Sequence, residues 1–310
     1  MRKNNTDNPP LYNRNFGLVC VSGFLLYASA YAVLLPLMRS GVVLDIFFPF
    51  LTGMQVAGAF NAWLADKFRR KHVLGYPFLG MLLVFIGYAY ASTPPQYAVL
   101  SLLHGVCFGL ATSAAVTLSI DVVHTGHRTK ANMVYAFCSR LGMVIGGVAG
   151  LWLMPLSTYH WLLPVLAGGV GVLAAAWMYV PFRAPIGLPM VSSDRYLLVR
   201  ALLPGLNVAI LAFACGMLAL PMRGGMAWLF LLAVLAPWLV RMFVKLSHHC
   251  QRATGNVTFH FFVDAGLLLG VAYAQVVETY PLWEPFAWMA FALVLYVGVT
   301  RIYYKKMRVR

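Results

Sequence analysis

Ten long apolar segments constrain the fold of this chain more than any other feature of its sequence. An α-helix needs about 20 apolar residues to cross the hydrocarbon core of a bilayer. Because that core offers no water to backbone polar groups, each crossing segment must form a helix. We therefore predict an all-α, polytopic transmembrane helix bundle with about ten spans. The predicted spans are residues 16–38, 41–65, 73–92, 95–123, 133–155, 158–180, 201–220, 226–244, 257–277 and 283–303.

The composition leaves no room for a separate soluble domain. Of the 310 residues, 61% are hydrophobic and only 10% are charged, whereas soluble domains carry about 25% charged residues. A lipid-facing bundle accommodates this excess because its outer wall is apolar too. The net charge of +15 is spread over short loops rather than gathered on one surface, so we exclude nucleic acid as a partner.

The positive charges indicate how the spans are oriented. Of the 23 Lys and Arg residues, 20 lie at the termini or in every second loop, two lie in the opposite loops, and Arg140 lies within a span. The positive-inside rule places the more basic side in the cytoplasm. We predict a multi-pass plasma-membrane protein, in a bacterial inner membrane, with both termini cytoplasmic. The first apolar segment is long enough to be an uncleaved span rather than a signal peptide.

A repeat links two distant parts of the chain. Six residues recur with a constant offset of 124 positions, and both copies run from the predicted inside to the outside. The repeat is therefore parallel, as in carriers whose halves are related by an axis along the membrane normal. The pairs are His124 and His248, Arg128 and Arg252, Asn132 and Asn256, Phe137 and Phe261, Gly142 and Gly266, and Gly146 and Gly270.

The loop after the second span carries a family signature. Residues 62–71 read AWLADKFRRK, which resembles the major facilitator superfamily pattern G-x-x-x-D-x-x-G-R-[RK]. Asp66, Arg70 and Lys71 match, while Ala62 and Arg69 replace the two glycines. The resemblance implies that Asp66 braces a helix start and that the basic residues lock the two halves of a carrier together.

Further segments are similar to bacterial drug- and sugar-efflux members of that superfamily. They are Tyr12 to Phe16, Leu103-His104-Gly105 with Gly109, the fifth-helix segment from Gly142 to Gly150, and residues 252–270 around Asp264. Gly142, Gly146 and Gly150 are four residues apart, so they share one helix face. Small residues on one face allow a second helix to approach closely, and we predict that these glycines serve helix packing.

The chain departs from that family in three further places. Ser101 stands where the fourth-helix signature has Arg, and Gly147 stands where the fifth-helix signature has Pro. Residues 201–247 accommodate two helices where the family has four. We therefore expect a six-helix half over residues 1–180, a cytoplasmic linker over 181–200 and a shortened four-helix half over 201–310.

Ionisable groups inside the spans are the best candidates for function. Each costs about 2.5–3.5 kcal/mol to insert, so it requires a reason to be there. Asp264 is a candidate carrier of a coupling proton, and Arg140 could hold an anionic substrate or pair with an acid such as Asp121. Each also has a structural alternative, as an intramembrane pair or a side chain that reaches the interface. The weaker candidates, for which packing or interfacial roles compete, are His104, Tyr31, Asn207 and Asp45.

Other function classes lack their signatures. The sequence contains no G-x-S-x-G, H-E-x-x-H or Walker loop, so we predict neither an enzyme nor an ATP-driven pump, and no cofactor. The five cysteines form no C-x-x-C and fit small packing residues. His248, His249 and Cys250 are adjacent and cannot all face one ion on a helix, so we predict no metal site.

We predict a secondary transporter that exports a small organic molecule, coupled to protons, by alternating access. The predicted partners are the lipid bilayer, a small-molecule substrate and the coupling protons. The competing hypothesis is a degenerate carrier that no longer transports and serves as a membrane scaffold or subunit of a protein partner. A third hypothesis, the ten-span drug/metabolite carrier fold, requires inverted halves, which the parallel repeat disfavours.

Overall fold

The computed structural model describes residues 10–39, 43–153, 162–180, 197–219, 227–247, 252–277 and 280–307. These residues form ten α-helices, joined in two places by single turns of 3-10 helix. Each predicted apolar segment coincides with one helix. The helices are α1 (Arg14–Arg39), α2 (Val43–Lys67), α3 (Arg70–Tyr90), α4 (Pro94–Asp121), α5 (Arg128–Leu153), α6 (Leu162–Trp177), α7 (Leu202–Ala219), α8 (Ala227–Leu246), α9 (Arg252–Val276) and α10 (Trp283–Met307).

Seven helical segments of the described residues are long and apolar enough to cross a membrane. They include most of α1, α3, α4, α5, α7, α9 and α10, whereas α6 is a shorter apolar helix. Large apolar side chains also remain exposed on the outer wall, for example Leu173 at 65% and Val294 at 70%. A bilayer would cover such a surface. The structure thus confirms an all-helical membrane bundle, while the count of ten spans stays a prediction.

Two sets of four helices pack in the same pattern. In the first set α1 packs against α5 and α6, and in the second set α7 packs against α9 and α10. Contacts between the sets are also reciprocal, because α2 packs against α9 and α8 packs against α5. The correspondence pairs α1, α2, α5 and α6 with α7, α8, α9 and α10. Within the described residues, α3 and α4 have no counterpart in the second set.

Glycines set the closest of these contacts. A Cβ at Gly142 would lie 2.2 Å from the Phe24 carbonyl oxygen, and one at Gly266 would lie 2.2 Å from the Ala209 carbonyl oxygen. The next rung repeats this contact in both sets: Gly146 meets Ala28, and Gly270 meets Phe213. A third rung in the first set joins Gly150 to Ala32. In each set the residue numbers rise together, so α1 and α5 run parallel, as do α7 and α9.

One end of the bundle carries the first residues of α1, α3, α5, α7 and α9, and we call it the basic end. Here the Asn13 side-chain amide donates to the Val122 carbonyl at 2.8 Å. The Leu198 backbone N–H, just before α7, donates to the Thr258 hydroxyl of α9 at 2.8 Å. These bonds hold the starts of α1 and α9 against neighbouring segments at the same level. The basic end is the side that the charge pattern assigns to the cytoplasm.

Candidate functional site

The two halves meet at the basic end through a pair of equivalent residues. The Asn132 side-chain amide of α5 donates to the Asn256 side-chain oxygen of α9 at 2.9 Å. Both side chains are buried, and the two residues occupy matching positions of the 124-residue repeat. The pseudo-twofold axis of the repeat therefore passes between α5 and α9 at this bond.

A second equivalent pair lies eight residues further along the same helices, about 12 Å deeper in the bundle. Arg140 and Asp264 are also 124 positions apart, and they are only 6% and 7% exposed. Their charges interact electrostatically, although no direct salt bridge joins them in the described part of the chain. The structure thus brings the two leading sequence candidates to the axis between the halves without a direct salt bridge between them.

Aromatic side chains of α1 and α4 surround this charged pair. The guanidinium carbon of Arg140 lies 5.1 Å from the ring centre of Tyr27, a cation–π distance. The rings of Tyr27 and Tyr31 are nearly parallel, 6.5 Å apart, and Phe108 of α4 meets Tyr27 edge-on at 4.9 Å. Both tyrosines also lie within the electrostatic range of Arg140 and Asp264. Tyr31, a sequence candidate, therefore belongs to this cluster.

A small cavity opens beside Arg140. Its volume is about 10 Å³, room for about one water molecule. Polar groups from both halves line it, so it lies on the seam between them. Arg140 lines this cavity whereas Asp264 does not, and a cavity of this size admits an organic ligand only if the halves separate. The lining residues are Val116, Asn132, Tyr135, Ala136, Ser139, Arg140, Ala236, Val240, Phe259 and His260.

The alternative role for Arg140, pairing with an acid such as Asp121, is not seen among the described salt bridges. Asp121 is the last residue of α4, at the basic end, and it forms a salt bridge with Arg70 at the start of α3. Arg140 lies too deep in the bundle to reach it, twelve residues into α5. The described ion pair of Arg70 joins α3 to α4 within the first six helices. That contact differs from the lock between halves that the family resemblance implied for the motif.

The other signature residues are only partly described. Asp66 lies in the last turn of α2, but its side chain is outside the described part of the structure. Lys71 lies in the first turn of α3 and is half-buried. His248 and Cys250 are also outside the described residues, as are residues 181–196 of the predicted linker.

Three further candidates lie away from the cavity. His104 is fully buried in α4 among the rings of Phe50 and Phe85, and neither of its ring nitrogens has a hydrogen-bond partner among the described residues. Asn207 is buried in α7, and Asp45 is half-buried in the first turn of α2. None of the three lines the cavity, so the structure does not bring them into the Arg140 site.

Known proteins similar to this chain are transporters. A gallate transporter of Pseudomonas putida is 28% identical over 152 residues, covering 48% of this chain and 31% of that protein. The 4-hydroxybenzoate transporter PcaK of Pseudomonas aeruginosa is 35% identical over 152 residues, covering 48% and 32%. The uncharacterized MFS-type transporter YqjV of Bacillus subtilis is 32% identical over 148 residues, covering 47% and 35%. The chain thus matches about a third of the length of these relatives. No protein-family model matches the chain.

Solved structures extend the similarity over most of the fold. The human organic anion transporter MFSD10 superimposes with a TM-score of 0.61 at 14% identity, covering 93% of this chain and 99% of that one. The peptide transporter POT gives a TM-score of 0.63 at 12% identity, covering 95% and 97%. The chain is similar to transporters of the major facilitator superfamily. The predicted resemblance is confirmed, and the fold match to these transporters favours parallel halves over the ten-span fold with inverted halves.

The relatives and structural neighbours of this chain are transporters rather than enzymes. Sequence reasoning gave too little weight to Tyr135, Ser139 and His260, all of which line the cavity. A usable signal was present for two of them. Asn132, Tyr135 and Ser139 follow the three- and four-residue spacing of one helix face that also contains Arg140. His260 faces the same cavity from α9, which only the packing of the two halves reveals.

Proposed function

We propose that this chain is a secondary transporter that binds a small organic anion between its two halves at Arg140. The observation that carries the proposal is the placement of Arg140 and Asp264. They occupy equivalent positions of the repeat and are buried at the seam, next to Tyr27 and Tyr31. Buried charges without a direct salt bridge are costly in a membrane protein, and their usual reason is a substrate or ion path.

Arg140 supplies the chemistry for anion recognition. A guanidinium binds carboxylate oxygens through two parallel N–H bonds, and burial strengthens that interaction. The rings of Tyr27, Tyr31 and Phe108 provide apolar faces and edges for a flat substrate. Relatives named as gallate and 4-hydroxybenzoate transporters support an aromatic hydroxycarboxylate as the substrate class.

Asp264 supplies a site for a coupling proton. When an anion binds to Arg140, the buried site holds two negative charges and one positive charge. Protonation of Asp264 removes the excess, so bound anion and bound proton stabilise each other. This reciprocity favours movement of the anion and the proton in the same direction. Export against the proton flow, which the sequence analysis predicted, requires the opposite coupling and stays a prediction.

The Asn132–Asn256 bond acts as a gate in this proposal. It closes the basic end between α5 and α9, while Phe47 of α2 meets Trp228 of α8 edge-on, with ring centres 5.9 Å apart, toward the other end. Rocking of the halves would break one closure while keeping the other.

We further propose ten spans, a six-plus-four division, a bacterial inner membrane and a cytoplasmic basic end.

The test is uptake of labelled 4-hydroxybenzoate and gallate by proteoliposomes with an imposed proton gradient. Arg140→Lys keeps the charge but loses the two-bond geometry, and we expect apparent substrate affinity to fall about tenfold, about 1.4 kcal/mol. Asp264→Asn imitates the protonated acid, so uphill uptake should vanish while exchange of internal for external substrate continues. Matched controls are Arg301→Lys and Asp45→Asn, which lie outside the cavity. Full uptake by both site variants would refute the proposal.

A non-transporting scaffold is the second candidate function. The cavity of about 10 Å³ and the missing counterparts of α3 and α4 among the described residues favour it. A scaffold would show no flux and no thermal stabilisation by any anion of a broad panel, while one protein would co-purify with it in fixed ratio. Binding without flux would instead keep the Arg140 site and reject only the transport step.

A further inference from the structure

We infer that Cys20 of α1 and Cys138 of α5 form a dithiol site, which lipid-soluble two-electron oxidants convert to an intramolecular disulfide. Both cysteines are free thiols and half-buried. The two thiol groups lie close enough to interact with each other. Neither residue lines the Arg140 cavity, so the site is separate from the proposed transport function.

The helix register gives independent support for this proximity. Gly142 meets Phe24, Gly146 meets Ala28, and Gly150 meets Ala32, and the partners in every pair are 118 positions apart. Cys20 and Cys138 are also 118 positions apart. They are therefore the next rung of the same parallel ladder, one helical turn closer to the basic end. A disulfide needs Cα atoms about 4.4–6.8 Å apart. Because the backbones of α1 and α5 touch one turn away, at Gly142 and Phe24, we expect Cys20 and Cys138 to meet that requirement.

The surroundings select which reagents reach the pair. Val21 and Phe137, each a direct neighbour in sequence, are 47% and 56% exposed on the apolar outer wall. Cys20 lies six residues into α1, about 9 Å along the helix. A bilayer would therefore cover the approach to the thiols. Oxidants that dissolve in lipid can reach them, whereas charged oxidants confined to water are excluded.

The chemistry balances with an azodicarboxamide such as diamide as the oxidant. The two thiols lose two protons and two electrons and form one S–S bond, and the azo group takes up both hydrogens to become a hydrazine. Attack of one thiolate on the oxidant is followed by attack of the second thiolate on that adduct, which releases the reduced reagent. A dithiol reductant reverses the change.

The disulfide would connect α1 to α5 inside the first six helices and leave the seam between the halves free. We therefore expect oxidation to raise the unfolding temperature without locking the bundle in one conformation. Cys107 and Cys215 provide internal comparisons, because no thiol–thiol contact is described for either one.

The experiment uses the full chain with Cys250→Ser, in proteoliposomes of bacterial lipid, treated with diamide or with oxidised glutathione. Remaining thiols are then blocked with N-ethylmaleimide, and the digested protein is analysed by mass spectrometry. We expect a Cys20–Cys138 linked peptide with diamide and far less with oxidised glutathione. The unfolding temperature should rise by several degrees and return after dithiothreitol.

Cys20→Ala and Cys138→Ala should each abolish the linked peptide, whereas Cys107→Ala should preserve it. If a variant fails to fold, the peptide map of the parent chain still decides. Complete maleimide labelling of both Cys20 and Cys138 after diamide would overturn the inference, as would linkage of either one to Cys107 or Cys215. The readout requires no substrate, so it is independent of the transport proposal.

Discussion

The first six helices and the last four share one packing scheme but differ in how completely they enclose their members. Among the first six helices, α2 packs closely on α4, where a Cβ at Gly105 would lie 2.0 Å from the Phe50 carbonyl oxygen. The equivalent helix α8 has no such partner in the described residues, and its Phe230, Val234 and Trp238 are 51%, 62% and 60% exposed. What both sets retain are the helices of the seam, α2, α5, α8 and α9. A central site between α5 and α9 therefore survives without counterparts of α3 and α4.

Substitution of the glycines where α1 meets α5 and where α7 meets α9 should have the largest effect, and it tests whether the two sets of helices are equivalent. Leucine at Gly146 or Gly270 would collide with a backbone carbonyl 2.1 Å away in either set, and we expect a loss of about 3 kcal/mol or more from overpacking. Loss of the monodisperse peak on size exclusion and a lower unfolding temperature would report it. Gly169→Leu is the control, because that position faces open space. A tolerated Gly270→Leu beside a disrupted Gly146→Leu would break the equivalence.

Arg140 and Asp264 test whether the two halves interact at the axis between them. Arg140→Gln leaves the Asp264 carboxylate buried without its neighbouring cation, and we expect a loss of about 3 kcal/mol in stability. Asp264→Asn added to it removes the orphaned charge and should restore about 1 kcal/mol or more. Thermal unfolding of the two single variants and the double variant measures this coupling. Additive losses would show that the two halves do not communicate at this level.

The asparagine pair should give a smaller coupling. Asn132→Ala or Asn256→Ala each leaves a buried amide without its partner, at about 1–3 kcal/mol. Removing both should cost less than the sum, because no orphaned amide remains from the pair. A double-mutant cycle by chemical unfolding is the measurement. Equal single losses are not expected, since Asn132 donates in the bond and Asn256 accepts.

The Arg70–Asp121 salt bridge should matter least. Arg70 is 24% exposed and Asp121 is 8% exposed, and the bridge lies at the basic end rather than in the middle of the bundle. We therefore expect it to contribute about 1 kcal/mol, less than the Arg140 site. Arg70→Ala should therefore shift the unfolding temperature slightly, and more at low salt than at high salt. Lys130→Ala, an exposed residue at the same end, is the control. A shift as large as that of Arg140→Gln would contradict the assignment of this bridge to the periphery.

The features that a bilayer's hydrocarbon core requires of any membrane-spanning chain could be predicted from the sequence. Helix positions follow from apolar length, and Arg140 and Asp264 stand out because charge is costly there. The repeat was visible since both ladders need glycine at the same spacing. The partner of Asp121 was not predictable, because it depends on the depth at which each helix ends. The spacing of Tyr135 and Ser139 already places them on the helix face of Arg140, whereas the position of His260 against that face depends on how α9 packs against the first half.

The bond between Asn132 and Asn256 has a consequence for symmetry. A side-chain amide has an NH₂ group that donates a hydrogen bond and an oxygen that accepts one, so two amides joined by a single hydrogen bond cannot be related by an exact twofold axis. One must act as giver, and the nitrogen of Asn256 is left buried without a described partner. An ancestor made of two identical halves would have had two interchangeable choices at this point. In the present chain Asn132 is the donor and Asn256 the acceptor. The two halves therefore differ in their hydrogen bonding even at a position where both have asparagine.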